Sequence, residues 1–113
     1  MSVVFYHNPK CSTSRNALAL LREQGVEPTV VEYLKTGWDR ETLQRLASKT
    51  GLGLSGLLRK KEADAKALLD ADADDEAILA AVLAQPILIE RPIVETKKGA
   101  VIGRPMERVL EVL

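Results

Sequence analysis

The chain has 113 residues but only one cysteine, Cys11, and one histidine, His7. One cysteine excludes an internal disulfide framework, and one Cys with one His cannot complete a four-ligand zinc site, so no metal is expected. Sixteen basic and sixteen acidic side chains cancel to a formal charge of zero, leaving no net field to recruit nucleic acid or anionic lipid. No stretch approaches the ~20 consecutive apolar residues of a membrane span, and the first residues lack the basic start and apolar run of a signal peptide. Repeats and linkers are absent too. The acidic residues form no catalytic pair; Asp70, Asp72, Asp74 and Asp75 read as solvent-facing or capping groups. A soluble, monomeric, cytoplasmic protein without a tightly bound cofactor is the expectation.

What is present begins with a short β-favouring run, Val3-Val4-Phe5-Tyr6, which stops at Asn8-Pro9. From Thr13 the spacing of Ala17, Leu18, Leu20 and Leu21 predicts a helix, with Gly25 at its carboxy end, and Thr29 to Leu34 reads as a second strand. Strand, helix, strand at this separation predicts parallel strands with a right-handed crossover. Asp39 and Asp74 are placed to cap helices carrying Leu43, Leu46 and Ala47 and then Ile78, Leu79, Val82 and Leu83, with Gly51 ending the first. Leu54 to Lys61 and Ala63 to Leu69 read as shorter helical pieces. Ile93 to Thr96 and Ala100 to Ile102 predict a hairpin turning at Lys97-Lys98-Gly99, and Pro105 opens a closing helix with Met106, Val109, Leu110 and Leu113 toward the sheet. The expected fold class is α/β: a mixed four-stranded sheet flanked by helices, one domain over 1–113 with a helical insertion at about 39–85.

Cys11 falls at the loop-to-helix junction, flanked by Lys10, Ser12, Thr13 and Ser14. Free cysteines are commonly buried as small hydrophobes, but polar neighbours and a helix amino terminus favour the thiolate instead. His7, four residues upstream, either adds positive charge as an imidazolium or braces the turn by hydrogen bonding. Arg15 points back to the same first turn. Arg59, Arg91 and Arg104 stand out by setting: Arg59 follows Leu57-Leu58, Arg91 precedes Pro92, and Arg104 places a cation at a predicted helix start, where the dipole disfavours it unless an anion arrives. An arbitrary X–Pro bond is cis only about 5–6% of the time, so Arg91-Pro92 alone reads as trans. Trp38 reads as a packing anchor, and Lys60-Lys61 as solvated.

The phrase His7-Asn8-Pro9-Lys10-Cys11-Ser12-Thr13-Ser14-Arg15-Asn16 closely resembles the active-site signature of the glutaredoxin-coupled arsenate reductases. The likeness continues through Leu57-Leu58-Arg59-Lys60, Pro86 to Val94 and Gly103-Arg104-Pro105. It implies a thioredoxin-like fold, Cys11 as nucleophile, and Arg59, Arg91 and Arg104 gripping the oxyanion. It further implies that His7, Ser14 and Arg15 tune the thiolate, that Asn8 and Pro92 shape the site, and that Pro92 is cis. Better-known members carry a carboxy-terminal extension beyond the position of Leu113, and some have a cysteine where this chain has Gly103, so a short branch is implied. The implied activity reduces arsenate to arsenite with electrons from an external thiol, glutathione and glutaredoxin, because a chain with one cysteine cannot resolve through its own sulfurs. Two other readings stay open: a general glutathione-dependent thiol oxidoreductase, and a non-enzymatic thioredoxin-like regulator that binds a protein partner. Ser14 at the second position of a Cys-x-x-Cys switch weighs against the latter.

Overall fold

A computed structural model describes residues 2–113. Its contacts divide the chain into two compact units, one running up to Thr36 and resuming at Arg91–Leu113, the other spanning Gly37–Glu90.

The first unit is built on a four-stranded sheet ordered β2-β1-β3-β4, with β1 at Val4–Tyr6, β2 at Thr29–Val31, β3 at Ile93–Thr96 and β4 at Gly99–Ile102. β1 runs parallel to β2 and antiparallel to β3, and β3 pairs antiparallel with β4. Helix α1, Ser12–Glu23, makes the crossover between β1 and β2. This is the sheet of a thioredoxin-like fold. Register sets the core: Phe5 lies opposite Val94, and Val94 opposite Val101, so the three project from one face. They pack with Ala17, Leu18 and Leu21 of α1 and with Val109 and Val112 of the closing segment.

Four local expectations are corrected by this unit. β2 ends at Val31 rather than Leu34, because the Glu32 carbonyl accepts from the N–H groups of Lys35 and Thr36, at 2.9 and 3.1 Å, and winds Tyr33–Thr36 into a short helix, α2. The closing segment, Met106–Val112, is a 3₁₀ helix. With three residues per turn, Val109 and Val112 share one face, so Val112 is buried while Leu110 turns outward, 38% exposed. Its end is fastened to the hairpin: Thr96 Oγ1 donates to the Val112 carbonyl at 2.6 Å, and Lys98 Nζ donates to that of Leu113 at 2.7 Å. Consequently Arg104 lies in the turn ahead of that segment instead of in the first turn of a helix.

The second unit is largely helical: α3 at Arg40–Thr50, α4 at Gly53–Gly56, α5 at Ala63–Asp70 and α6 at Asp75–Ala84, followed by a 3₁₀ turn at Pro86–Leu88. Asp39 and Asp74 cap α3 and α6 by accepting from Thr42 N and Ala77 N, at 3.4 and 2.9 Å. Gly51 closes α3 at φ +73°, a left-handed conformation that glycine adopts without strain. The helix expected from Leu54 to Lys61 stops at Gly56. From there the chain is diverted into an isolated bridge of Leu58 with Ile89, where Arg59 N donates to Leu88 O at 2.7 Å and Glu90 N to Leu57 O at 2.8 Å. Trp38 is buried and donates from Nε1 to the Pro86 carbonyl at 3.2 Å. Leu83 stands 42% exposed, outside the apolar face of α6.

Candidate active site

The turn between β1 and α1 is closed by its own side chains. His7 N continues the ladder by donating to Val31 O at 2.8 Å, and Cys11 N then donates back to Asn8 O at 3.0 Å. Asn8 is buried, and its Oδ1 accepts from Lys10 N at 3.0 Å, an Asx turn that holds the loop tight. Ser14, fully buried on the first turn of α1, accepts from Asn8 N at 3.1 Å and meets His7 Nδ1 at 2.7 Å. With one lone pair taken by Asn8 N, the serine hydroxyl still has a donor and a second lone pair with which to meet the ring nitrogen. Arg15 spans the loop from outside, its Nη1 donating to Pro9 O at 2.9 Å.

Burial lowers the His7 pKa from its ordinary value. Glu32 opposes this, while Arg22 and Arg15 reinforce it, and the net shift is downward. The ring is therefore neutral near neutral pH. Of the two roles open to it in the sequence, the geometry gives the hydrogen-bonded brace.

Cys11 occupies the amino-terminal cap position of α1 in extended conformation, half-buried and free of any disulfide. Burial pushes its thiol pKa up, but the N–H of Ser14, the charge and a hydrogen bond of Arg91, and the N–H of Thr13 together outweigh this and bring it below the ordinary thiol value. The sulfur feels these N–H groups at the helix start without making a full capping bond. Arg104 adds a further cation: its Nη1 lies 3.9 Å from Sγ and 3.3 Å from the Arg91 carbonyl, which it also bonds. Both Arg91-Pro92 and Arg104-Pro105 are cis; the family resemblance implies the first, and no sequence signal marked the second.

The first unit thus brings Cys11, His7, Asn8, Ser14, Arg15, Arg91, Pro92 and Arg104 to its β1–α1 turn and to the segments beginning and following β3–β4. Arg59 belongs to the second unit, where its Nη1 pairs with Glu62 Oε1 at 3.3 Å. A cleft beside the turn, lined by Asn8, Pro9, Lys10, Glu32, Leu34 and Lys35, has no counterpart in the sequence reading. Among the described residues, no helix is long and apolar enough to cross a membrane.

The model of the ArsC family matches residues 6–112. An arsenate reductase of Rhizobium meliloti is 44% identical over 115 residues, covering all of this chain and 82% of that protein. A protein of Escherichia coli named only as the uncharacterized YfgD is 46% identical, covering 98% of this chain and 96% of its own. A solved structure described as an arsenate reductase from Vibrio cholerae superposes with a TM-score of 0.92 at 49% identity, covering 100% of this chain and 98% of that one.

Proposed function

The chain belongs to the ArsC family, and from that membership and the charge around one sulfur we propose that it reduces arsenate to arsenite, with Cys11 as the nucleophile. The observation that carries the reading is the pairing of an acidified thiol with two guanidinium groups, Arg91 and Arg104, the latter 3.9 Å from Sγ. A tetrahedral oxyanion arriving there meets a nucleophile and its counter-charges together. Each charge-assisted hydrogen bond contributes about 1.5–3 kcal/mol, so two together, at about 3–6 kcal/mol, bracket the roughly 4 kcal/mol of millimolar binding. Arg59 enters the proposal as a third cation from the sequence resemblance alone.

In the proposed reaction the Cys11 thiolate attacks arsenic(V), an As–S bond forms, and one arsenic-bound oxygen leaves as water after taking up protons from solution. A second thiolate then attacks Sγ. The new S–S bond displaces arsenic, which keeps the As–S electron pair and departs as arsenite, reduced by two electrons. With one cysteine in the chain, that second thiol is external. Glutathione is proposed for it, with glutaredoxin removing the glutathionyl group to regenerate Cys11.

The test follows NADPH oxidation in the presence of arsenate, glutathione, glutaredoxin and glutathione reductase. Wild type is expected to show arsenate-dependent turnover and Cys11→Ser none. Turnover of disulfide substrates with no response to arsenate would instead establish the general oxidoreductase.

A further inference from the structure

The cleft beside the active-site turn carries charge in a pattern that one lone anion does not match. Its apolar lining comes from Pro9 and Leu34, both exposed, and its rim carries two ammonium groups, Lys10 and Lys35, with one carboxylate, Glu32; its volume is about 160 Å³. A simple oxyanion would be attracted by the lysines and repelled by Glu32, and Arg91 with Arg104 offers it a better place. Two positive groups and one negative group are instead complementary to a ligand with two carboxylates and one ammonium. A γ-glutamyl tripeptide thiol, glutathione, has that set of charges.

Position supports the same occupant. Lys10, which lines the cleft, immediately precedes Cys11, so the cleft adjoins the same loop that carries the nucleophile. The cleft is smaller than the ~300–1,000 Å³ that encloses a drug-sized ligand. It therefore encloses only part of the peptide, whose two charged ends meet the lysines while its central cysteine extends along the turn toward Cys11. Lys35 and Glu32 pair across 3.5 Å, with side chains 78% and 37% exposed. So open an ion pair holds loosely, and an arriving carboxylate and ammonium can replace both partners.

We infer that this cleft is the seat of the incoming thiol peptide: Lys10 and Lys35 receive its carboxylates, Glu32 receives its ammonium, and the cleft makes Cys11 selective for glutathione over uncharged thiols. The inference rests on the external-thiol part of the function proposed above, and its test uses no arsenate.

The experiment is disulfide exchange at Cys11, read as the mass of the adduct. The Cys11 thiolate attacks the S–S bond of oxidised glutathione, one new S–S bond forms to the protein, and one glutathione thiolate leaves, with no net oxidation. Hydroxyethyl disulfide, which has no charge, serves as the reference and reports thiolate reactivity alone. The ratio of the two rates is compared in wild type, Lys35→Gln and Lys10→Gln with Lys35→Gln. The expected result is a ratio that falls about tenfold in the double variant and by an intermediate factor in the single one, with the wild-type advantage shrinking as salt rises. A ratio equal in all three proteins, or a wild-type preference insensitive to salt, overturns the assignment. Loss of arsenate turnover with the exchange ratio intact would defeat the arsenate reading and leave the cleft standing.

Discussion

Cys11 sits under two opposed influences. Removing its sulfur from water favours the neutral thiol, while the N–H groups at the start of α1 and the Arg91 guanidinium favour the anion and prevail. A thiol with a lowered pKa is ionised at lower pH, so the rate of Cys11 alkylation by iodoacetamide is expected to reach half its plateau at a lower pH than that of a free cysteine peptide measured beside it. Arg91→Ala should move that midpoint up. Coincidence of the wild-type midpoint with that of a free thiol would remove the basis for the nucleophile. At this scale the sequence was most informative where chemistry is local: a single cysteine after a strand and before a helix needs no long-range information to be noticed. The state of His7 was not legible, since its lowered pKa comes from burial, which Arg22 and Arg15 reinforce against Glu32, and its brace from Ser14 lies seven residues away across the turn.

Among the elements, those with chemical punctuation were legible and those set by tertiary pairing were not. Asp39, Gly51 and Asp74 mark boundaries through bonds to their own helices. The Asp74 cap accepts from Ala77 N at 2.9 Å and the Asp39 cap from Thr42 N at 3.4 Å. Asp74→Ala and Asp39→Ala are therefore each expected to cost about 1 kcal/mol in urea unfolding. Hydrogen bonding from Thr42 holds the Asp39 carboxyl below its usual range. Its contribution is then present above the unfolded value, about pH 4, and is lost as pH falls through the lower folded value. Equal midpoints for both variants and wild type would show that neither cap stabilises its helix. By contrast, the end of α4, the bridge from Leu58 to Ile89 and the 3₁₀ character of Met106–Val112 arise from partners distant in sequence. Leu57 and Leu58 have helix-compatible spacing, and only their pairing with Ile89 and Glu90 settles the backbone otherwise.

The whole molecule gathers positive charge that its composition cancels. Arg104 is 93 residues from Cys11 in sequence yet 3.9 Å from its sulfur. The register of β3 with β1 and β4 brings Arg91 and Arg104 to the same end of the sheet as the β1–α1 turn. No periodicity could have chosen these two from the chain's other basic residues; their place before Pro92 and Pro105 and the family signature did so. The two guanidiniums are not equivalent, which makes them separable by experiment. Arg91 both charges and hydrogen-bonds the thiolate, whereas Arg104 bonds the Arg91 carbonyl and approaches the sulfur from 3.9 Å. Arg104→Ala is expected to weaken arsenate binding by about 10–100-fold, the equivalent of one charge-assisted hydrogen bond, while shifting the alkylation midpoint less than Arg91→Ala does. Arg91→Ala should lose both affinity and thiolate, and Arg91→Lys should recover part of the acidity through charge without restoring the planar fork that grips an oxyanion. Unaltered arsenate kinetics in both alanine variants, with circular dichroism unchanged, would place the oxyanion elsewhere and leave the two arginines as elements of the fold.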